Sequence, residues 1–208
     1  MSQSLSSPKV TLVVMAKAPL AGRAKTRLIP ALGPRGAADL AGQMLMRTLA
    51  AAQASGVGPV ELCAEPAVSS ADWQSVTLPG GLDYSTQGEG DLGERMAGVS
   101  KRLLARGEAV ILMGTDCVQM SPALLRRAVA ALNGSDAVVY PTRDGGYALL
   151  GLRRFTPDIF RDMPWSTDRV FSLTRERLHH LGWRVAVGEC LDDVDQPEDL
   201  TLWYDTNQ

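Results

Sequence analysis

Continuous apolar runs alternate with amphipathic stretches along this chain. Val10–Ala16 is apolar almost throughout and Ala109–Thr115 nearly so, the pattern of strands buried on both faces of a parallel sheet. Shorter runs at Pro59–Ala64, Leu82–Ser85, Asp136–Pro141, Ala148–Leu152 and Trp183–Gly188 read as further strands. Between them lie helical periods. Residues 34 to 54 place Leu40, Ala41, Met44, Leu45, Leu49 and Ala52 on one face, with Pro34 in the first turn and Gly56 as the stop. Leu92, Met96, Val99 and Leu103 mark a second helix, entered through an Asp91/Glu94 capping pair. A third opens at Ser121-Pro122 and ends at Asn133-Gly134. A fourth carries Val170, Phe171, Thr174, Leu178 and Leu181, with Thr167 as its N-cap and Gly182 as its stop. Residues 66 to 81 read as loop with one helical turn. Asp144-Gly145 between two apolar runs is a hairpin signal, so one edge of the sheet is expected to turn antiparallel. The fold class is therefore α/β: a three-layer α/β/α sandwich around a mixed, mainly parallel sheet.

Composition narrows the picture. The chain of 208 residues fits one domain, expected over residues 9–208, with a Ser-rich disordered tail at 1–8. A formal charge of −2 argues against a general nucleic-acid binder. No apolar run approaches the roughly 18 residues of a membrane span, and the first residues lack a signal-peptide core. Cys63, Cys117 and Cys190 are widely spaced with no C-x-x-C, which fits free thiols in a cytoplasmic protein and gives no zinc pattern.

The stretch with the most chemistry is Met15–Leu28. It follows the first strand, at the carboxyl end where open α/β sheets bind ligands. It carries Lys17, Arg23, Lys25 and Arg27 and no acid; Ala21 and Gly22 let a ligand approach the backbone. Such a loop suits a polyanion, a nucleoside triphosphate or a nucleotide-sugar, although it also reads as a solvated basic loop. It is neither a Walker A loop nor a G-x-G-x-x-G turn. Asp116 follows the central strand directly and so stands on the same rim.

At this point Ala16-Lys-Ala-Pro-x-x-Gly-x-x-Lys-Thr-Arg-Leu28 resembles the opening motif of the "transferase 1" family associated with radical-SAM/selenodomain proteins. That family belongs to the nucleotide-diphospho-sugar transferase superfamily with the glycosyltransferase-A fold; molybdenum-cofactor and 2-phospho-lactate guanylyltransferases are relatives. Gly90-Asp-Leu-Gly-Glu-Arg-Met96, Gly114-Thr-Asp-Cys117, Asp144-Gly-Gly-Tyr147, Trp165-Ser-Thr167 and Asp193-Val-Asp-x-Pro-Glu-Asp-Leu200 extend the resemblance over nearly the whole chain. It implies nucleotide binding by Lys17, Gly22, Arg23, Lys25, Thr26, Arg27, Gln87 and Gly90. It implies a Mg²⁺ or Mn²⁺ ion on Asp116 and Asp195, with Asp193 as fallback, and catalysis by Lys25, Asp116 and Asp195. Asp144, Gly145, Gly146, Tyr147, Trp165 and Ser166 would face the acceptor or transferred group. Relatives commonly carry a second acid three residues after the strand-end aspartate; this chain has Gln119. Structural readings stand beside these: Trp165 as a core plug, the Gly88–Gly90 entrance as a helix cap, Asp195 and Glu198 as a capping box.

The function expected is Mg-dependent nucleotidyl transfer from an NTP to a small phosphorylated or carboxylated acceptor. Glycosyl transfer from a nucleotide-diphospho-sugar is the alternative, and nucleotide binding without turnover a third. The base, the acceptor and the oligomeric state are not legible.

Overall fold

The computed structural model describes residues 9–206; the expected tail at 1–8 lies outside the described residues. Seven strands form one sheet: β1 Val10–Lys17, β2 Val60–Glu65, β3 Asp83–Thr86, β4 Ala109–Met113, β5 Ala137–Pro141, β6 Tyr147–Leu152 and β7 Val185–Val187, in the order β3-β2-β1-β4-β6-β5-β7. The helices are α1 Ile29–Ser55, α2 Leu92–Leu104, α3 Pro122–Asn133, α4 Val170–His180 and α5 Leu200–Thr206.

Strand alternation builds the three layers. Leu12, Val14, Ile111, Met113, Val138 and Leu149 face α1 and α3, meeting Leu45, Leu49, Leu124 and Leu132. Their neighbours Val13, Val110, Leu112, Val139, Leu150 and Leu152 face the other layer, where Met96, Val99 and Leu103 of α2 and Leu178 of α4 pack. A third cluster joins Leu28, Leu40 and Met44 of the α1 region to Val118, Val194 and Trp203. It fastens the loop after β1 to the loops after β4 and β7, the three that build the cleft.

Four details differ from the sequence reading. The antiparallel strand is not an edge: β6 lies between β4 and β5, antiparallel to both, and parallel β7 is the outer strand. With Leu149, Leu150 and Leu152 buried on two faces, β6 needs partners on both sides. The first helix begins earlier, at Ile29, and is interrupted at Gly33 (φ 71°, ψ 166°) before Pro34. Leu92 leaves the core face of α2 and is 45% exposed. Helix α4 has Arg169, not Thr167, at its N-cap; the Thr167 hydroxyl donates instead to the Pro164 carbonyl at 2.7 Å.

Candidate active site

Three connected lobes form one cleft at the carboxyl ends of β1 and β4. All three meet at Gly114, which directly follows β4, and at Ser166 in the loop before α4. A side chain at 114 would project into open space, so glycine keeps the floor of the cleft clear.

The polar lobe, 460 Å³, is lined by Lys17, Arg23, Lys25, Thr26, Arg27, Asp116 and Asp195 among others. Residues far apart in sequence meet here. Lys25 Nζ stands 2.7 Å from Asp116 Oδ1 and 3.4 Å from Asp195 Oδ1, and donates to the Val194 carbonyl at 2.5 Å. Arg27 donates to Asp195 Oδ2 at 2.6 Å. The Lys25 side chain is only 7% exposed, while Asp116 and Asp195 are 46% and 39% exposed. Two carboxylates that close repel unless a cation lies between them; Lys25 is that cation. Its backbone takes a left-handed conformation, φ 45° and ψ 48°, uncommon for a residue with a side chain. Ser166, across the cleft, is also left-handed at φ 63°. Strained residues of this kind cluster at ligand sites.

Asp195 does not cap the final helix. That task falls to Asp199, whose Oδ2 accepts from the Asp195 and Gln196 amides at 3.0 and 2.7 Å. The Asp195 carboxylate is left to face Lys25 and Arg27. Gln119, where relatives carry an acid, clamps the same loop: its amide donates to Asp192 Oδ2 at 2.5 Å and accepts from the Asp192 amide at 3.0 Å.

The acidic lobe, 560 Å³, is lined by five aspartates, Asp116, Asp144, Asp168, Asp193 and Asp195, against the single cation Arg27. Burial first, then the charges of Asp144, Asp195 and Asp116, push the Asp193 carboxyl up to about 6. The turn from β5 to β6 forms one wall. Asp144 Oδ1 accepts from Thr142 Oγ1 at 2.5 Å and from the Gly146 amide at 2.9 Å. Gly145 has φ 88°, and a Cβ there would lie 2.1 Å from the Asp168 carbonyl oxygen, so both backbone angle and space require glycine.

The apolar lobe, 240 Å³, is walled by Met15, Met96, Met113, Tyr147, Trp165 and Val170, with Leu92 also lining it. One edge of the Trp165 indole stands against Gly93 in the first turn of α2; a Cβ at 93 would come within 3.0 Å of Nε1. That nitrogen is buried without a hydrogen-bond partner. Burial raises the Tyr147 phenol well above its usual range.

The family described as "Uncharacterized protein conserved in bacteria (DUF2064)" matches residues 48–167. The chain belongs to this family. The matched stretch holds Asp116, the β5–β6 turn and Trp165, whereas the basic loop and Asp195 lie outside it. No curated protein matches the chain. Among solved structures, a candidate nucleotide-diphospho-sugar transferase from Desulfovibrio desulfuricans G20 is similar with 29% identity, covering 96% of this chain and 87% of its own, at a TM-score of 0.84. Rv0371C of Mycobacterium tuberculosis H37Rv, in a manganese complex, is 20% identical and covers 93% of this chain and 97% of its own at 0.52. A CMP:2-keto-3-deoxy-manno-octonic acid synthetase complexed with CTP is 15% identical and covers 94% and 96% at 0.57. This DUF2064 chain has the nucleotide-diphospho-sugar transferase fold, and the resemblance read from its motifs holds.

Of the candidate residues, Lys17, Arg23, Lys25, Thr26, Arg27, Asp116 and Asp195 gather in the polar lobe, and Asp144, Gly146, Tyr147, Trp165 and Ser166 line the other two. Gln87 is placed elsewhere. It is 8% exposed, and its amide donates to the Ala16 and Cys63 carbonyls at 3.1 and 3.2 Å while accepting from Arg95. Gly22, Gly90 and Gly145 line none of the three lobes. The start of α2 is no anion site, because Asp91 and Glu94 close a reciprocal capping box there at 2.8 and 2.9 Å. Met15, Met96, Met113 and Val170 drew no functional reading from the sequence, where they are ordinary core residues. Leu92 carries a late signal: an apolar side chain left exposed beside a cavity.

Among the described residues no group of three or more His, Cys, Asp or Glu is arranged to hold a metal, and no helix is long and apolar enough to cross a membrane.

Proposed function

We propose that this nucleotide-dependent transferase moves a nucleotidyl group from a nucleoside triphosphate to a small acceptor, with the donor phosphates in the polar lobe. The observation that carries the reading is the convergence of Lys25, Asp116 and Asp195, from three separate loops, on one point beside Lys17, Arg23 and Arg27. Three cations there remain within reach of phosphate oxygens, and charge-assisted bonds from guanidinium and ammonium groups are the strong ones. Transfer of this kind depends on positioning and charge stabilisation rather than on a covalent protein intermediate.

The donor set also fits a divalent ion. Asp116 and Asp195 each present a carboxylate oxygen to the place where the Lys25 ammonium now stands, so the site is built for a cation and has hard oxygen ligands. Asp116 and Asp195 would hold Mg²⁺ or Mn²⁺, with Asp193 beside them. Such an ion would supply positive charge to the diphosphate, and Lys25, beside the same two carboxylates, would donate to a phosphate oxygen. The manganese complex of Rv0371C and the CTP complex of the synthetase, proteins of the same fold, support the choice of ion and donor. The Desulfovibrio neighbour favours a second reading, glycosyl transfer from a nucleotide-sugar in the same lobe.

A thermal-shift panel of nucleoside triphosphates and nucleotide-sugars, each with Mg²⁺, Mn²⁺ or EDTA, tests the proposal. A triphosphate is expected to raise the melting temperature more with the ion than with EDTA, and Asp116→Asn or Asp195→Asn should remove that increment. Pyrophosphate release marks nucleotidyl transfer; nucleoside diphosphate release from a nucleotide-sugar marks the second reading. A panel with no ion-dependent increment for any donor overturns both.

A further inference from the structure

We infer that the apolar lobe selects an uncharged acceptor: a hydroxyl-bearing molecule whose apolar part fills the space between Met15, Met96 and Trp165. The inference rests on the nucleotide reading of the polar lobe and names the substrate class for the same site.

The lining decides the chemistry. Among the residues of this lobe Asp144 is the one charged group, and it sits at the side shared with the acidic lobe. An anionic acceptor would lie against Asp144, and the adjoining acidic lobe adds Asp168 and Asp193 with Arg27 as the one cation in its lining. Like charges in a partly dry cleft are strongly disfavoured. A phosphate or carboxylate therefore meets more acids than cations on this side, whereas an alcohol avoids the repulsion. The size agrees. An apolar cavity of about 150 Å³ takes up benzene, and this lobe measures 240 Å³. Methionines on the wall adapt to irregular apolar shapes. Leu92, exposed at the mouth, offers apolar surface that an occupant would cover.

Continuity with the donor follows from Gly114 and Ser166, which line both the apolar and the polar lobes. An acceptor seated in the apolar lobe directs its hydroxyl toward the α-phosphorus of the triphosphate. The new bond joins that oxygen to phosphorus. The bond from the α-phosphorus to the bridging oxygen breaks, pyrophosphate leaves with the electron pair, and the hydroxyl proton passes to water.

Binding of benzyl alcohol, benzyl phosphate and benzylamine, followed by ligand-observed NMR titration, tests this. Benzyl alcohol should bind at least tenfold more tightly than benzyl phosphate. Leu92→Lys, at an exposed position, should weaken benzyl alcohol at least fivefold with an unchanged melting temperature. Ala148→Leu, which fills the lobe from β6, should do the same. Tighter binding of benzyl phosphate or benzylamine, or indifference to both substitutions, overturns the inference. The nucleotide panel run on the same samples separates the two readings. Nucleotide binding without benzyl alcohol binding removes the apolar acceptor alone. Benzyl alcohol binding that both substitutions weaken, without any nucleotide response, upholds the lobe and removes the donor assignment.

Discussion

The polar and apolar lobes share Gly114 and Ser166 but are held by different forces. In the polar lobe, side chains from the loops after β1, β4 and β7 are joined by ion pairs through Lys25 and Arg27. In the apolar lobe, strands β1 and β4 and helices α2 and α4 contribute packed side chains, and Trp165 seals the wall against Gly93. Ion pairs whose carboxylates are half-exposed add little net stability, and those whose cation is exposed too, as at Arg27, respond to salt. Packed aromatic and aliphatic groups add a good deal. A substitution in one lobe should therefore register mainly in ligand affinity, and in the other mainly in folding.

The largest stability effect is expected in the apolar lobe. Trp165→Ala opens a space that the fixed helices cannot close. Loss of a buried large side chain costs about 3–5 kcal/mol; Trp165 is half-buried and its Nε1 has no partner to lose, so about 2–3 kcal/mol is expected from denaturant unfolding. Triphosphate affinity should stay within about twofold. A tenfold loss of nucleotide affinity would break the division between lobes.

Lys25→Ala probes the other side. Removing the ammonium leaves Asp116 and Asp195 facing each other and the Val194 carbonyl without its donor. Breaking a fully buried pair costs about 3–5 kcal/mol; with both carboxylates near two-fifths exposed, about 1–2 kcal/mol is expected. Nucleotide affinity should fall at least about tenfold, the equivalent of one charge-assisted bond. Calorimetry without added metal measures it. Unchanged affinity would assign Lys25 to structure alone.

The two lobes also differ in how far the sequence disclosed them. Strands and helices were legible because each is a run with its own period, and Asp116 was placed on the rim simply by ending a buried strand. The polar lobe was legible because cations without acids are rare enough in one loop to mark it. The pairing of Asp116 with Asp195 came from the motif resemblance, and local pattern pointed instead to a capping box at Asp195; Asp199 took that task. The apolar lobe was illegible because a methionine lining a cavity and a methionine filling a core have the same spacing. Gln87 misled for the opposite reason: a polar residue beside glycines looks available, yet two strand carbonyls claim its amide. The interior place of β6 could not be read because hairpin signals fix which strands are joined, not which neighbour the second one finds.

Gln119→Glu tests whether the position occupied by an acid in relatives serves the polar lobe here through the loop rather than directly. The amide now gives Asp192 a donor and accepts its backbone N–H. A carboxylate of similar shape keeps the acceptor and sets a like charge against Asp192. A loss of about 1 kcal/mol is expected, with a smaller, two- to fivefold, drop in nucleotide affinity as the Asp193–Asp195 loop loosens. Tighter metal-dependent nucleotide binding in the variant would show that the added acid acts as a ligand instead.

The smallest effect is expected at Arg23, in the same loop as Lys25 and with the same charge. Arg23 is 70% exposed, and its partner Asp72 lies 3.3 Å away outside the carboxylate pair. Such surface pairs contribute about 0–1 kcal/mol, so Arg23→Ala should leave the apo unfolding curve within about 0.5 kcal/mol of the parent. Its guanidinium still lines the polar lobe and can swing from Asp72 to a phosphate at little cost. Nucleotide affinity should thus fall two- to fivefold at low salt, and the difference should shrink as ionic strength rises, because an exposed charge is screened over about 10 Å at 0.1 M. The Lys25→Ala deficit, at a buried ammonium, should persist over the same salt range. If the two deficits shrink in parallel, Lys25 acts on the nucleotide from solvent as Arg23 does, and its ion pairs with Asp116 and Asp195 are not what organises the lobe.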